Sequence, residues 1–411
     1  MLNKLKLKSE FSRNVLTLIT GTTIAQAIPI AISPILTRLY SPEDFGKYAI
    51  FLSIIIILSS VSTLRYEQAI MLPKLKRNAL ILFKGSLYIL LISTLIITMC
   101  LILINKLNYF TISTIYIFLI PLAVFITGIT NINISYLNRL KDYKTISKTN
   151  MITSLFNATL NLSVGYFLSS YFVLSINSIA SKLYSLKFFI SNTYKVYKMK
   201  IKKEEILIQL KKYDDMLKFS APEVMISAIN QQSTILFLTY FFDPILAGGY
   251  FLIQRIFGTP ISVFSTSFSK VFFKEFTNSK YKYKLLVKIW IKLFVFTLPV
   301  GILLYIYMHD IIITVFGSKW AYSADIAHIL LPYFIINFIF SATSTSHITL
   351  RLQHLSMSFA IISFFIKVFI FSYGNYLQDS LLTIQLLVIY DIIQIILMNF
   401  IVYRKLKAGY I

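Results

Sequence analysis

Apolar blocks of roughly 20 residues recur along the whole chain, separated by short polar gaps, and this pattern leaves few folds open. A block of that length crosses the ~30 Å hydrocarbon core of a bilayer as an α-helix. Inside lipid every backbone N–H and C=O needs a partner within the chain, so only helices and closed barrels can cross. A barrel would show period-two alternation, which these blocks lack. Twelve blocks are legible, at 14–37, 45–64, 79–104, 109–137, 145–169, 171–191, 217–241, 246–268, 285–308, 325–349, 354–373 and 380–402. The expected fold is an all-α integral membrane protein with twelve transmembrane helices.

Charge supports this count. Only 14% of the residues are charged, yet the net charge is +24. A soluble nucleic-acid binder would gather such a surplus on one face, whereas here the basic residues fall in the gaps between blocks. With a cytoplasmic N-terminus, 32 of the 40 Lys and Arg lie on the cytoplasmic side, 4 on the opposite side (Arg38, Lys47, Lys106, Lys319) and 4 within spans. The positive-inside rule therefore predicts that both termini are cytoplasmic. The first block reads as a retained helix and not as a cleaved signal peptide. Cys100 stands alone and cannot form an intrachain disulfide. His309, His328, His347 and His354 have no metal-ligand spacing and read as interfacial. No P-loop, nucleophile elbow or carboxylate pair points to an enzyme, a metal or a cofactor.

The polar stretch 195–216 divides the chain into six-helix lobes at 1–194 and 217–411, and reads as an amphipathic linker attracted to anionic headgroups. The lobes carry a faint repeat. Tyr40-Ser41-Pro42-x-x-x-Gly46-x-Tyr48 matches Phe242-Asp243-Pro244-x-x-x-Gly248-x-Tyr250 at an offset of 202 residues, and Phe11-Ser12 resembles Phe219-Ser220. Both hairpins occupy the same expected side, so the repeats run parallel and the lobes are pseudo-symmetric, as in many secondary transporters.

The stretch 34–73, above all Tyr40-Ser41-Pro42-Glu43-Asp44-Phe45-Gly46 and Leu64-Arg65-Tyr66-Glu67-x-Ala69-Ile70, resembles the first hairpin of bacterial O-antigen-type (Wzx-like) oligosaccharide flippases. These belong to the superfamily of multidrug extruders and lipid II flippases. The resemblance implies transfer of an undecaprenyl-diphosphate-linked oligosaccharide, such as an O-antigen or capsule repeat unit, between leaflets of the bacterial inner membrane. It implies as partners membrane lipids, a polysaccharide polymerase and a chain-length regulator, and no nucleic acid. A drug/cation antiporter of the same superfamily and a membrane-embedded polymerase are the alternatives.

An ionisable group at mid-depth costs about 3 kcal/mol or more, so each one invites a reason. Arg255, with Thr259 and Ser262 on its face, is either a cation for diphosphate oxygens or a partner for an acid on another helix. Lys182, bordered by Asn177, Ser178, Ser181 and Ser185, either lines a wet lumen or sits in a helix interface. Glu223, Ser227, Asn230, Gln231 and Thr234 form one polar stripe; Thr22, Gln26, Pro29 and Ser33 form its counterpart on the equivalent helix. Their amides either meet sugar hydroxyls or join helices. Arg38 and Arg65, the latter close to Glu67, lie at span ends, where charge is cheap; Lys84 is shallow enough to snorkel. Lys367 and Asp391, on neighbouring spans with Gln394 one turn on, read as an ion pair or as an ion-coupling site. Four buried cations against two buried acids, Glu223 and Asp391, favour an anionic cargo.

Overall fold

The computed structural model describes residues 10–107, 113–279, 281–350 and 352–408. Arg351, one of the 32 basic residues counted above, and the side chains of Phe11, Ser12 and His354 lie outside the described residues. The chain forms α1 (Glu10–Leu39), α2 (Pro42–Val61), α3 (Lys76–Lys106), α4 (Thr114–Leu140), α5 (Tyr143–Phe167), α6 (Tyr171–Ser185), α7 (Lys187–Lys198) and α8 (Lys203–Lys212). There follow α9 (Ala221–Phe241), α10 (Pro244–Ile253), α11 (Thr259–Asn278), α12 (Lys282–Phe316), α13 (Tyr322–Ser341), α14 (Gln353–Leu377) and α15 (Ser380–Lys407). No strand occurs among the described residues.

Every apolar block falls on helix, most on a single one, with ends that differ; the eighth spans α10, the turn 254–258 and α11. The sixth block stops at Ser185 and resumes as α7; the tenth ends at Ser341 and continues through turns into Thr345–Thr349. Among the described residues, eight helices are long and apolar enough to cross a membrane: α1 to α4 and α12 to α15. The remaining crossings, α5, α6, α9 and the α10–α11 pair, are interrupted or rich in Ser, Thr, Asn and Gln. Those are the helices on which polar function can be built.

Two crossings contain a wide turn. At Met216–Ser220 the Ala221 N–H reaches back to the Met216 carbonyl, and at Gln254–Gly258 the Thr259 N–H reaches the Gln254 carbonyl. Proline stands just beyond each, at Pro222 and Pro260. Lacking an N–H, it removes one rung of the α ladder, and the turn before it relaxes to bonds five residues apart.

By packing, the chain separates into two compact units: residues 1–29 with 51–232, and residues 30–50 with 233–411. In the first, Phe83 and Tyr136 meet edge to face at 5.5 Å within a core that includes Tyr66, Leu82, Leu90 and Ile132. Asp142 caps α5 by accepting from the Thr145 N–H at 3.1 Å, and Ser170 caps α6.

In the second unit the two repeat motifs meet. Ser41 and Asp243, at equivalent positions, cap α2 and α10, and Pro42 and Pro244 open those helices. A Cβ on Gly46 would collide with the Pro244 carbonyl oxygen, and one on Gly248 with the Pro42 carbonyl oxygen. The contact is therefore reciprocal, with each glycine seated on the other motif's proline carbonyl. Around it, Phe45 packs edge to face on Trp320 at 5.0 Å, and Trp320 Nε1 donates to the Thr37 carbonyl at 2.9 Å.

Candidate functional site

In the first unit, α1, α4, α5 and α6 surround a cavity of about 260 Å³. Thr22 and Gln26 come from α1, Thr127 and Thr130 from α4, and Lys182 and Ser185 from α6; α5 adds four hydroxyl and amide side chains between Thr149 and Ser154. Each set recurs at three or four residues, so each helix turns one polar stripe toward the space. Ala25 is the one apolar residue among the eleven described residues that line it, Lys182 is the one charge among them, and none of them is a carboxylate.

The hydroxyl protons are largely committed to the helix backbone. Thr130 Oγ1 donates to the Ile126 carbonyl at 2.9 Å, Thr149 Oγ1 to Thr145 and Thr153 Oγ1 to Thr149, both at 2.8 Å. The lone pairs of these oxygens remain for a guest. Lys182 Nζ donates to Thr127 Oγ1 at 3.0 Å and makes no ion pair among the described residues. An ammonium has three donors, so two remain for an anionic group entering the cavity. Behind the wall, Asn177 Nδ2 donates to Asn161 Oδ1 at 3.0 Å, Asn161 Nδ2 to Asn157 Oδ1 at 2.8 Å, and Asn157 Nδ2 to Ser181 Oγ at 3.2 Å. This ladder ties α5 to α6 beside Lys182.

The second unit holds a separate polar cluster. Arg255 sits in the wide turn 254–258, with Tyr48 within electrostatic reach, and the neighbouring Gln254 Nε2 donates to the Tyr250 hydroxyl at 2.9 Å. Tyr250, Tyr333 and Lys367 all lie within electrostatic reach of the Asp391 carboxylate. Asp391 makes no direct ion pair among the described residues.

Residues 35–325 match the family described as polysaccharide biosynthesis protein, about seven-tenths of the chain. The chain belongs to that family. Among curated proteins no match is found. Among solved structures this polysaccharide biosynthesis protein is similar to the lipid II flippase MurJ in an inward closed conformation, at 15% identity and TM-score 0.69, over 96% of this chain and 89% of that one. It is also similar to an inward-facing multidrug resistance MATE transporter of the MOP superfamily, at 14% identity and TM-score 0.65, over 95% of each chain. A third likeness is to a MOP superfamily transporter from Pyrococcus furiosus whose binding pocket is described as having reversed polarity, at 14% identity and TM-score 0.56, over 98% of each. The fold is thus the twelve-helix, two-lobe architecture expected from the apolar blocks.

The family member distributes its other candidate residues as follows. Lys84 is buried and its Nζ donates to the Met199 carbonyl at 2.8 Å, closing the C-terminal end of α7. Arg65, in the left-handed region at φ 65°, pairs with buried Glu67 at 3.3 Å, and Thr63 donates to the same carboxylate. Exposed Arg38 donates to the Thr314 carbonyl at 3.3 Å. Glu223 is exposed in the first turn of α9; Asn230 and Gln231 follow farther along that helix, and none of the three lines the 260 Å³ cavity. Of the residues picked from sequence, the cavity gathers Thr22, Gln26, Lys182 and Ser185. The threonines of α4 and the α5 stripe escaped notice because uncharged hydroxyls draw no attention singly. Their signal was the spacing of Thr149 with Thr153 and of Asn150 with Ser154 in a crossing that lacks a strong apolar run.

Proposed function

We propose that this chain is a flippase that carries an undecaprenyl-diphosphate-linked oligosaccharide, an O-antigen or capsule repeat unit, from the cytoplasmic to the periplasmic leaflet of a bacterial inner membrane. The observation that carries the reading is the cavity around Lys182, whose eleven described lining residues are ten polar ones, one of them a cation and none a carboxylate, and one alanine. A sugar hydroxyl left unpaired in hydrocarbon costs several kcal/mol, so a flippase must offer hydrogen-bonding partners throughout the crossing. Hydroxyl and amide side chains supply them, and the ammonium attracts the phosphate-bearing end. Membership in the polysaccharide biosynthesis family supports the same substrate class. On this reading the lobes 1–194 and 217–411, joined by 195–216, alternate access with both termini cytoplasmic. A polymerase and a chain-length regulator receive the product. Asp391 with Lys367 is the candidate for coupling to an ion gradient, and Arg255 a second cation for the diphosphate.

Removal of the gene is expected to leave undecaprenyl-linked units on the cytoplasmic face, read by extraction and protection from an external glycosidase, and to abolish surface glycan. Normal export of those units without this chain would end the proposal. The likeness to a MATE transporter makes a cation antiporter the second reading. In that case Lys182→Glu would improve export of cationic dyes; under the flippase reading it abolishes glycan export instead.

A further inference from the structure

We propose that α8 and its flanks form a docking surface for anionic phospholipid, placed by contacts that leave one lysine-rich, apolar face uncovered. The helix is fixed along its opposite side. Ile206 is buried, and Ile206 and Leu210 rest on Gly85 of α3, where a Cβ would come within 3.1 Å of Ile206. Arg77 reaches both oxygens of Glu205 at 3.0 Å, and the Tyr66 hydroxyl donates to the Leu210 carbonyl at 3.2 Å. Three anchors thus set which side faces out.

The outward side carries Leu207 at 66% exposure and Ile208 at 64%. One turn away on either side of Leu207 stand Lys203 and Lys211, and one turn beyond Ile208 stands Lys212, all exposed. Lys198, Lys200 and Lys202 lead into the helix and are exposed as well. None of these six lysines makes an ion pair among the described residues. Of the acids nearby, Glu205 is held by Arg77 and Asp214 by Lys218 at 2.5 Å. Exposed Glu204, one turn before Ile208, and exposed Asp215 make no ion pair among the described residues, so six lysines stand against two unpaired carboxylates and the face stays positive. Unpaired cations bracketing exposed aliphatic side chains match an anionic headgroup layer above acyl chains. A soluble acidic partner would use the charge but would leave Leu207 and Ile208 unexplained. The occupant is therefore lipid. The inference does not rest on what the cavity carries, since it concerns a surface outside it.

The test uses the full-length chain with Cys100→Ser and a bimane label on Leu207→Cys, reconstituted into vesicles of phosphatidylcholine alone or with phosphatidylglycerol. Quenching by nitroxide-bearing lipid is expected, stronger with phosphatidylglycerol and weakened by salt. Replacing Lys202, Lys203, Lys211 and Lys212 by Gln is expected to cut the preference for phosphatidylglycerol at least tenfold, given about fivefold per lysine near such a surface. A label quenched by aqueous iodide but not by lipid in both vesicles overturns the proposal, as does a phosphatidylglycerol effect insensitive to salt. The salt series needs no lysine variant, so it decides even if the fourfold change fails to insert. Glycan export is not the readout, so failure here leaves the flippase reading untouched.

Discussion

Lys182 shows how a single side chain gives a neutral cavity its sign. Its ammonium has Thr127 as a hydrogen-bond partner and no carboxylate among the described lining residues, so its charge is available to a guest. A hydrogen bond to a charged group contributes about 1.5–3 kcal/mol, equivalent to about a tenfold to hundredfold change. Lys182→Met should therefore lower flipping by at least tenfold, measured as surface glycan at equal membrane abundance, while Lys182→Arg retains much of it. Equal glycan from the Met variant would remove the ammonium from the mechanism. The asparagine ladder makes a different demand, for stability. Asn161 is buried, accepts from Asn177 and donates to Asn157. Asn161→Leu strands both neighbours, at a cost of about 1–3 kcal/mol each. A lowered melting temperature of the purified protein in detergent should follow, larger than for Thr159→Leu on an exposed part of the same helix.

At the scale of the element, two features were half visible in the sequence. The repeat of Pro, Gly and Tyr could be read from residues 40–48 and 242–250, but the reciprocal seating of Gly46 and Gly248 on proline carbonyls could not. Spacing records where a motif recurs; it does not record that two copies touch. Gly46→Leu should fold poorly, because the obstacle is backbone that cannot swing aside, and overpacking of this kind costs typically 1–3 kcal/mol or more. Reduced yield of monodisperse protein on size-exclusion chromatography would show it, whereas Gly317→Ala, with nothing within 4 Å of the added carbon, should keep more of the yield despite its positive φ. The wide turn at 254–258 was hidden for another reason. Pro260 announces a missing rung, but a kink and a widened turn are equally consistent with that loss. Pro260→Ala restores the donor and should let the ladder contract by one residue. Arg255 would then rotate about 100° relative to α11. The expected result is a well-folded protein with impaired export, resembling Arg255→Ala in glycan assays and wild type in thermal melting.

For the molecule as a whole, the crossings were the most legible feature because lipid imposes a length and an apolarity on every segment that enters it. The crossings least like that standard, α5 and the α10–α11 pair, carry the Lys182 cavity wall and Arg255. Polar side chains break the membrane's rules at these places, and a hydropathy reading is correspondingly weakest there. Packing was beyond the sequence for a related reason. Residues 30–50 belong by contact with residues 233–411, although the chain places them within its first half. The proposed orientation, by contrast, rests on charge alone. With 32 of 40 basic residues assigned to one side and 4 to the other, the bias is spread over five gaps and both terminal segments, so no single substitution should invert the protein. Alkaline phosphatase fused after residue 107 is expected to be active and fused after residue 202 inactive, with a cytoplasmic reporter giving the reverse. Exchanging Lys74, Lys76 and Arg77 for Gln should leave both readouts unchanged, because the remaining gaps still hold the basic excess. Inversion by that triple change would mean that one loop, and not the summed charge, orients the chain.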